Sequence, residues 1–398
     1  MPERMMLRRV AARYGTPVWV YDAAQLDAQI NAWKSAFEGF DARICYAVKA
    51  NGGLALLQRF ARAGLGFDVV SCGELARVER AGGNASTVVF SGVGKRADEI
   101  DAALAAGVAS INVESAAELE LVNVRATAAR LAAPVVLRVN PGVDAGTHPH
   151  IATGNHGDKF GIALDDAPAV ARHAATLPGV ALHGLALHIG SQLLDLAPLR
   201  IALDRVLALH DALCASGLKL RTLDVGGGLG VRYRDETPPP VDEYAALVRS
   251  AIGTRTLRVV VEPGRALVAE AGTLLTRVEL VKPGFIVVDA GMSELIRPAL
   301  YDAWHPIEVI DGQTEPSECD VVGPLCESGD VLGRARMLGA KRGDLLMVGC
   351  AGAYGASMSS HYNARPRAAE VLVDGDVIHE IRVRETIADL WRGETMLP

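Results

Sequence analysis

From about residue 44 the chain alternates between short β-branched runs and Ala/Leu-rich stretches with helical spacing. Alternating strands and helices predict a parallel sheet, so this rhythm constrains the fold more than any other feature. Eight units within roughly 220 residues favour an α/β fold of the closed (β/α)8 TIM-like barrel type, which typically needs about 250. The predicted strands are 44–48, 67–70, 87–90, 110–113, 135–139, 182–188, 223–225 and 259–262. An open doubly wound sheet is the alternative, but no Gly-x-Gly-x-x-Gly follows the first strand.

After about residue 270 the pattern changes to strand-like runs without long helices between them. The runs 273–281, 285–288, 345–348 and 370–373 are separated by turn residues such as Pro283-Gly284 and Gly343. Such punctuation predicts a β-rich domain of the barrel or sandwich type. We therefore expect a barrel domain over 23–270 and a β-rich domain over 271–398, to which a strand within residues 1–22 is added.

Composition excludes several function classes. A net charge of −7 gives no electrostatic footprint for nucleic acid. No run of about 18 apolar residues is present, so we expect no membrane span, and the first ten residues lack the apolar stretch of a signal peptide. The six cysteines are scattered without a Cys-x-x-Cys pair. This distribution favours a reducing cytoplasm over a zinc site or a disulfide framework, and we expect no metal.

Lys49 ends the first predicted strand, Ile44-Cys45-Tyr46-Ala47-Val48. Catalytic groups of such barrels collect at the carboxyl ends of the strands. A lysine in an apolar setting has a lowered pKa, and the neutral amine it then supplies suits Schiff-base chemistry. A lysine after a strand is more often an ordinary exposed residue, so Lys49 needs support from the rest of the chain.

Three further groups fall at the carboxyl ends of later strands. His188 ends the sixth predicted strand, the glycines 226–228 follow the seventh, and Glu262 ends the eighth. Glycine-rich loops late in a barrel let backbone N–H groups approach a phosphate, although tight turns also need glycine. A lysine, a phosphate site and a carboxylate for a ring nitrogen together point to pyridoxal 5′-phosphate as cofactor.

The β-rich half carries a second group of candidates. Cys326 and Glu327 lie between turn glycines and could act as an acid/base thiol and a cation receptor. Arg297 and Tyr301 share a helical face if the segment is helical, and an arginine can hold a carboxylate in bidentate fashion. An incidental turn cysteine and a solvated arginine are the plainer interpretations. His148 and His150 lack further ligands, so we assign them no metal.

At this point the chain resembles the diaminopimelate decarboxylase family, in the alanine racemase-like group of pyridoxal-phosphate enzymes with a barrel and a β domain. The resemblance extends from about Tyr14 to the C-terminal end. The motifs that carry it, in order, are Tyr46–Asn51, His148–Gly154, Lys159–Gly161, His188–Gln192, Gly226–Gly228, Glu262–Arg265, Arg297–Tyr301, Cys326–Asp330 and Gly352–Gly355.

The resemblance implies a role for each residue. Lys49 would hold the cofactor covalently, His188 would stack on its ring and Glu262 would contact its ring nitrogen. The phosphate would be surrounded by Ser191, Gly226, Gly227, Gly228, Gly264 and Arg265. The substrate would be bound by Arg265, Arg297, Tyr301, Glu327 and Tyr354, and Tyr354 would also lie near the cofactor. Cys326 would donate a proton, and because Cys326 and Glu327 of this family reach the neighbouring subunit, a homodimer with shared active sites is implied.

The expected reaction is decarboxylation of meso-2,6-diaminopimelate to L-lysine and CO2, the last step of lysine biosynthesis. Within the decarboxylases, a substrate such as D-ornithine or D-lysine stays open. An amino-acid racemase on the same fold is a further alternative, and so is a silent homologue that acts as a binding partner. The pairs Cys326-Glu327 and Arg297–Tyr301 argue against the racemase, and the presence of Lys49 and Glu262 argues against the silent homologue.

Overall fold

A computed structural model of the chain describes residues 3–144, 159–312 and 314–398. Clustering of the chain gives two compact units. The first, which we call the barrel unit, comprises Ile30–Val231 and Thr237–Ala266. The second, which we call the β unit, comprises Met1–Gln29, Arg232–Glu236 and Leu267–Pro398. The barrel-plus-β-domain fold class expected from the sequence is confirmed.

The N-terminal segment begins with two helices around a strand. Its elements are α1 (Arg4–Tyr14), β1 (Val18–Asp22) and α2 (Ala23–Ala36). In the β unit, Met6, Leu7 and Val10 of α1 join one apolar cluster with Val18 and Val20 of β1. Helix α1 is amphipathic, and its buried residues recur at the three- and four-residue spacing that places them on one face.

The barrel unit continues the α/β alternation. Its strands are β2 (Ala42–Ala47), β3 (Gly66–Val69), β4 (Val88–Phe90), β5 (Ser110–Val113), β6 (Ala133–Asn140), β7 (Ile162–Ala163), β8 (Val180–Ala186), β9 (Thr222–Asp224) and β10 (Arg258–Val261). Its helices are α3 (Leu54–Arg62), α4 (Cys72–Arg80), α5 (Ala97–Ala106), α6 (Ala116–Ala128), α7 (Ala167–Ala174), α8 (Ala197–Ala215) and α9 (Val241–Ile252).

Eight of these strands form a closed parallel barrel. The order is β5-β4-β3-β2-β10-β9-β8-β6, and β5 pairs with β6 to close it, whereas the short β7 pairs only with β6. All eight strands predicted from the sequence are present within two or three residues of their expected ends. Two ends differ in a way that matters for the site, because β8 ends at Ala186 and β10 at Val261. His188 and Glu262 therefore lie in the loops that follow these strands.

The β unit is built on one mixed sheet. Helix α10 (Arg265–Val268) begins in the barrel unit and ends in the β unit. The C-terminal elements of the β unit are β11 (Gly272–Lys282), β12 (Phe285–Val288), α11 (Arg297–Tyr301), β13 (Ile307–Val309), β14 (Ser317–Val322), β15 (Val331–Leu338), β16 (Leu345–Val348), β17 (Ala369–Asp374) and β18 (Val377–Arg382). Strand β1 lies between β11 and β17, antiparallel to the first and parallel to the second. The predicted strands of this half are present, whereas β13, β14, β15 and β18 were not predicted.

No helix among the described residues is long and apolar enough to cross a membrane.

Candidate active site

Lys49 lies just past β2, in a single 3-10 turn formed by Val48–Ala50. Its Nζ is 3.0 Å from Oδ2 of Asp68, and the side chain of Lys49 is 40% exposed whereas that of Asp68 is fully buried. Asp68 belongs to β3, the strand beside β2. The prediction that Lys49 lies in an apolar setting is therefore wrong, because its amine forms an ion pair with a buried carboxylate.

Glu262 follows β10, and β10 pairs with β2, so Lys49 and Glu262 follow neighbouring strands on the same rim of the barrel. The carboxyl of Glu262 is buried, and its Oε1 has no hydrogen-bond partner within the described part of the chain. Burial raises the pKa of Glu262 well above its ordinary value, and the negative charges of Asp224 and Asp68 add to this shift. The site thus holds a buried acceptor atom that no protein group satisfies.

His188 contacts the glycine loop that follows β9. The backbone N–H of Gly227 donates to Nδ1 of His188 over 3.3 Å. Burial lowers the pKa of His188 well below its ordinary value, with smaller contributions from the charges of Arg138 and Lys49. The imidazole is therefore neutral near pH 7, and Nδ1 acts as an acceptor.

The loop Gly226–Gly228 leaves no room for side chains. Gly226 has φ +70° and Gly228 has φ +112°, both in the region that favours glycine. A Cβ on Gly227 would lie 2.2 Å from the carbonyl oxygen of Glu262, and one on Gly228 would lie 2.5 Å from that of Gly190. The loop therefore presents bare backbone beside the rim.

Ser191, Gly264 and Arg265 lie on the same rim. Arg265 is buried, and its Nη2 donates to Oγ of Ser191 over 3.0 Å. A Cβ on Gly264 would meet the Cβ atoms of Ala47 and Ala50 at 3.1 and 3.2 Å. The barrel unit thus brings together all the residues that were predicted there.

These residues fit pyridoxal 5′-phosphate. The unsatisfied Oε1 of Glu262 can accept a hydrogen bond from a protonated ring nitrogen. The side-chain-free loop Gly226–Gly228 offers backbone space for a phosphate, with Ser191 and Arg265 nearby as polar donors. The amine of Lys49 follows the strand next to that of Glu262.

The β unit holds Arg297 at the start of α11. Arg297 is buried, its Nη1 lies 2.9 Å from Nε2 of His305, and its Cζ lies 4.7 Å from the ring centre of Tyr233. His305 is completely buried and its Nδ1 lies 3.1 Å from the carbonyl oxygen of Gly349. Arg297 is therefore held in place by a histidine and an aromatic face.

The predicted helical face of Arg297 and Tyr301 is present, since α11 spans both residues with Pro298 in its first turn. Proline is tolerated there because the first backbone N–H groups of a helix have no partner within the helix. Asp302 ends the helix with φ +50° and ψ +29°. Tyr301 and Tyr354 are both half-buried, and Tyr354 adopts φ +57°.

Cys326 and Glu327 lie in an exposed loop. The buried carboxylate of Asp330 shapes this loop by accepting hydrogen bonds from the backbone N–H groups of Leu325, over 2.8 Å, and Met292, over 2.6 Å. The hydroxyl of Tyr362 donates to Oε2 of Glu327 over 3.1 Å.

Sequence reasoning missed several polar residues of both units. The barrel unit contributes Asp68, Asn112 and Asp224, and the β unit contributes His305 and Tyr362. Asp68 had a recognisable signal, since it is a lone polar residue inside the apolar strand β3, which ends at the active rim, whereas Asn112 and Asp224 share their strands with a second polar residue. His148, His150 and the rest of the motif 148–154 lie outside the described residues. Among residues that the structure describes, no group of three or more His, Cys, Asp or Glu could hold a metal ion.

Comparison with known proteins assigns the chain to a family. Residues 23–269 match the family described as pyridoxal-dependent decarboxylase, pyridoxal binding domain. The chain is 51% identical to diaminopimelate decarboxylase of Pseudomonas aeruginosa, with 100% of this chain and 97% of that protein covered. It is also 51% identical to the Neisseria meningitidis enzyme, with 98% of each covered.

Solved structures agree with these relatives. Diaminopimelate decarboxylase of Helicobacter pylori, in complex with L-lysine, superposes with a TM-score of 0.95 at 40% identity and covers 97% of this chain and 98% of its own. Diaminopimelate decarboxylase from M. jannaschii, in complex with L-lysine, gives a TM-score of 0.93 at 35% identity and covers 98% of this chain and 94% of its own. The fold and nearly the whole length are shared with these proteins.

Proposed function

The chain belongs to the family of pyridoxal-dependent diaminopimelate decarboxylases, and we propose that it converts meso-2,6-diaminopimelate to L-lysine and CO2. The observation that carries the proposal is the unsatisfied, buried Oε1 of Glu262 on the rim that also holds Lys49. The L-lysine in the complexes of two solved relatives supports the identity of the product. The proposed reaction is the final step of lysine biosynthesis.

When bound, pyridoxal 5′-phosphate supplies a protonated pyridine ring that accepts the electron pair left by departing CO2. In our proposal Lys49 holds the cofactor by its ε-amine, the neutral imidazole of His188 stacks on the ring, and Glu262 faces the ring nitrogen. The phosphate is bound by Ser191, Gly226, Gly227, Gly228, Gly264 and Arg265. The ion pair between Lys49 and Asp68 supports this arrangement, because a buried carboxylate orients the amine before the cofactor arrives.

The proposed substrate site uses residues of opposite charge. Arg265, Arg297, Tyr301 and Tyr354 bind the substrate and its carboxylates, and Glu327 receives the distal ammonium. Cys326 then delivers a proton to Cα from Sγ. Diaminopimelate carries an amino-acid group at each end, so the enzyme needs both a cation and an anion to hold the end that stays intact.

We further propose a homodimer in which Cys326 and Glu327 serve the active site of the neighbouring subunit. Their exposure in an isolated chain supports this assignment, since a proton donor and an ammonium receptor are expected to be covered during the reaction. The proposed domains are the cofactor-binding barrel over 23–270 and the β-rich domain over 271–398 with residues 1–22 added. We place the enzyme in the cytoplasm, where cysteine thiols stay reduced.

The test is CO2 release by purified protein supplied with pyridoxal 5′-phosphate. Meso-diaminopimelate should be the preferred substrate in a panel with L- and D-lysine, D-ornithine and arginine. The variant Lys49→Ala should lose the visible absorption of the bound cofactor together with activity. Lys34→Ala is the matched control, because Lys34 is an exposed lysine of the same unit whose Nζ donates to the carbonyl oxygen of Ala63.

Preference for D-ornithine or D-lysine would refute the substrate, and stereoinversion without CO2 release would indicate a racemase. An intact cofactor band in Lys49→Ala would refute the role of that lysine.

A further inference from the structure

Asp224 is a buried carboxyl inside the barrel that the proposed reaction does not yet use. It ends β9 and is only 2% exposed. Its Oδ1 accepts a hydrogen bond from the backbone N–H of Gly226 over 2.9 Å, and its Oδ2 accepts one from Nδ2 of Asn112 over 2.8 Å. The carboxyls of Asp224 and Glu262 are close enough for a hydrogen bond between them when one of the two is protonated.

The contact with Asn112 crosses the interior of the barrel. Asn112 is a residue of β5, and β5 is not a neighbour of β9 in the sheet. Nδ2 of Asn112 also lies 3.3 Å from Oγ of Ser91, which follows β4. Asp224 is therefore fixed from two sides, by its own loop and by the opposite wall.

Two buried carboxyls in hydrogen-bond contact cannot both be ionised at low energetic cost, so one proton is shared between them. Burial raises the pKa of Asp224 and of Glu262 alike. The charged or titratable groups that face the pair are Asp68, Lys49, Cys45 and Tyr244. Of these only Lys49 carries a positive charge, and it is already paired with Asp68.

We propose that Asp224 is a positioning residue that shares one proton with Glu262 and thereby turns Oε1 of Glu262 toward the cofactor's ring nitrogen. The pair presents one negative charge, which balances the positive charge of a protonated ring. This inference rests on the proposed function for the identity of the ring, whereas the shared proton is a property of the protein alone.

Asp224 also connects the two ends of the cofactor site. Its Oδ1 holds the N–H of Gly226, the first residue of the glycine loop, while its hydrogen bond to Glu262 fixes the carboxyl expected at the ring nitrogen. The backbone N–H of Glu262 in turn donates to the carbonyl oxygen of Gly226 over 2.8 Å. One side chain thus sets the position of the phosphate loop relative to the ring-nitrogen acceptor.

The first test uses cofactor-free protein, so it does not depend on activity. Infrared difference spectra at pH 7.5 should show one protonated carboxyl that is lost in Asp224→Asn and equally in Glu262→Gln. The double variant should lose no more than either single variant. Glu294→Gln is the control, because Glu294 is a buried acid of the β unit outside the pair, so its replacement should leave the signal of the shared proton in place.

A second variant guards against misfolding of Asp224→Asn. Asn112→Ala removes the donor to Oδ2 and leaves both carboxyls in place, so the shared proton should persist to higher pH than in the unaltered protein. A carboxyl signal unchanged by all three substitutions would overturn the proposal, and so would additive losses in the double variant.

The second test measures cofactor affinity. Asp224→Asn should weaken binding of pyridoxal 5′-phosphate by about tenfold or more, the loss expected for one hydrogen bond to a charged group. An analogue with carbon in place of the ring nitrogen should lose much less affinity on the same substitution, since it has no ring N–H to be held. Equal weakening for both ligands would show a merely structural role and refute the assignment. Failure of the unaltered protein to bind pyridoxal 5′-phosphate would instead refute the proposed function.

Discussion

Replacement of Arg297 by alanine should lower kcat/KM for diaminopimelate, because it removes the cation that we propose binds a substrate carboxylate. Arg297 is buried and its guanidinium is held by His305 at 2.9 Å and by the ring of Tyr233 at 4.7 Å. A guanidinium fixed in this way loses little entropy when it binds a carboxylate.

The magnitude follows from the loss of one partner of a buried ion pair. Such a loss costs about 3–5 kcal/mol. A loss of that size corresponds to a decrease in kcat/KM of about 10²–10³-fold or more. Arg297→Lys keeps the charge but not the planar fork, and we expect it to retain part of the activity.

Steady-state kinetics of CO2 release, measured with saturating cofactor, tests this expectation. Arg336→Ala is the matched control, because Arg336 is also buried in the β unit and its Cζ lies 4.1 Å from the ring centre of Trp304. Arg336→Ala should lower the free energy of unfolding, because it removes a packed side chain. It should leave kcat/KM within about twofold of the original value, because Arg336 has no proposed contact with the substrate. An unchanged kcat/KM in Arg297→Ala, or an equal loss in Arg336→Ala, would refute the assignment of Arg297 to the substrate.

Three further substitutions give separate expectations. Cys326→Ala should lower L-lysine formation by about 10²–10⁴-fold, the usual contribution of a positioned acid. The control Cys72→Ala should leave it unchanged. Full lysine production by Cys326→Ala would contradict the role of Cys326 as proton donor. The pKa of Glu262 is higher in the folded than in the unfolded protein, so the folded state binds this proton more tightly. The stabilisation from the bound proton is complete below the unfolded-state pKa and is lost as the pH rises through the folded-state pKa. Urea unfolding of cofactor-free protein should thus show Glu262→Gln gaining stability relative to the original chain as the pH rises above about 5, by up to about 1.4 kcal/mol per pH unit, whereas a constant difference would contradict this. Asp302 has φ +50°, so Asp302→Val should cost about 1–2 kcal/mol in thermal unfolding and Asp302→Gly should be nearly neutral, and equal Tm values for the two variants would exclude backbone strain.

The barrel could be predicted because its parallel strands are buried on both faces. Strand β4, for example, is buried throughout and is a continuous apolar run, and it lies between helices with a different period. The missed strands of the β unit lack this signal. β15 carries Arg334 and Arg336 among its apolar residues, and its pairing with β14 shifts register twice, so neither a period of two nor an apolar run is kept.

The position of a site residue along its strand could also be predicted, but its immediate partner could not. The ion pair between Lys49 and Asp68 depends on a single aspartate in an apolar strand. Strand propensities disfavour aspartate, so they give no reason to expect one there. An apolar pocket was expected for Lys49 because its own strand is apolar, whereas the adjacent strand supplies the charge. His305 was missed for a related reason, since its contact with Arg297 depends on the fold of the segment after α11.

Barrel closure explains which pairs the sequence reveals. The first and last strands of a closed barrel are neighbours, so Lys49 after β2 and Glu262 after β10 could be placed on one rim from strand order alone. Asn112 and Asp224 are residues of strands that are not adjacent, and their side chains meet only because both point into the barrel interior at the same height. Such a contact depends on the stagger of the strands, which the sequence of one chain does not encode in any local pattern. The groups that bind the cofactor could thus be inferred from topology, whereas the residue that we propose positions one of them required coordinates.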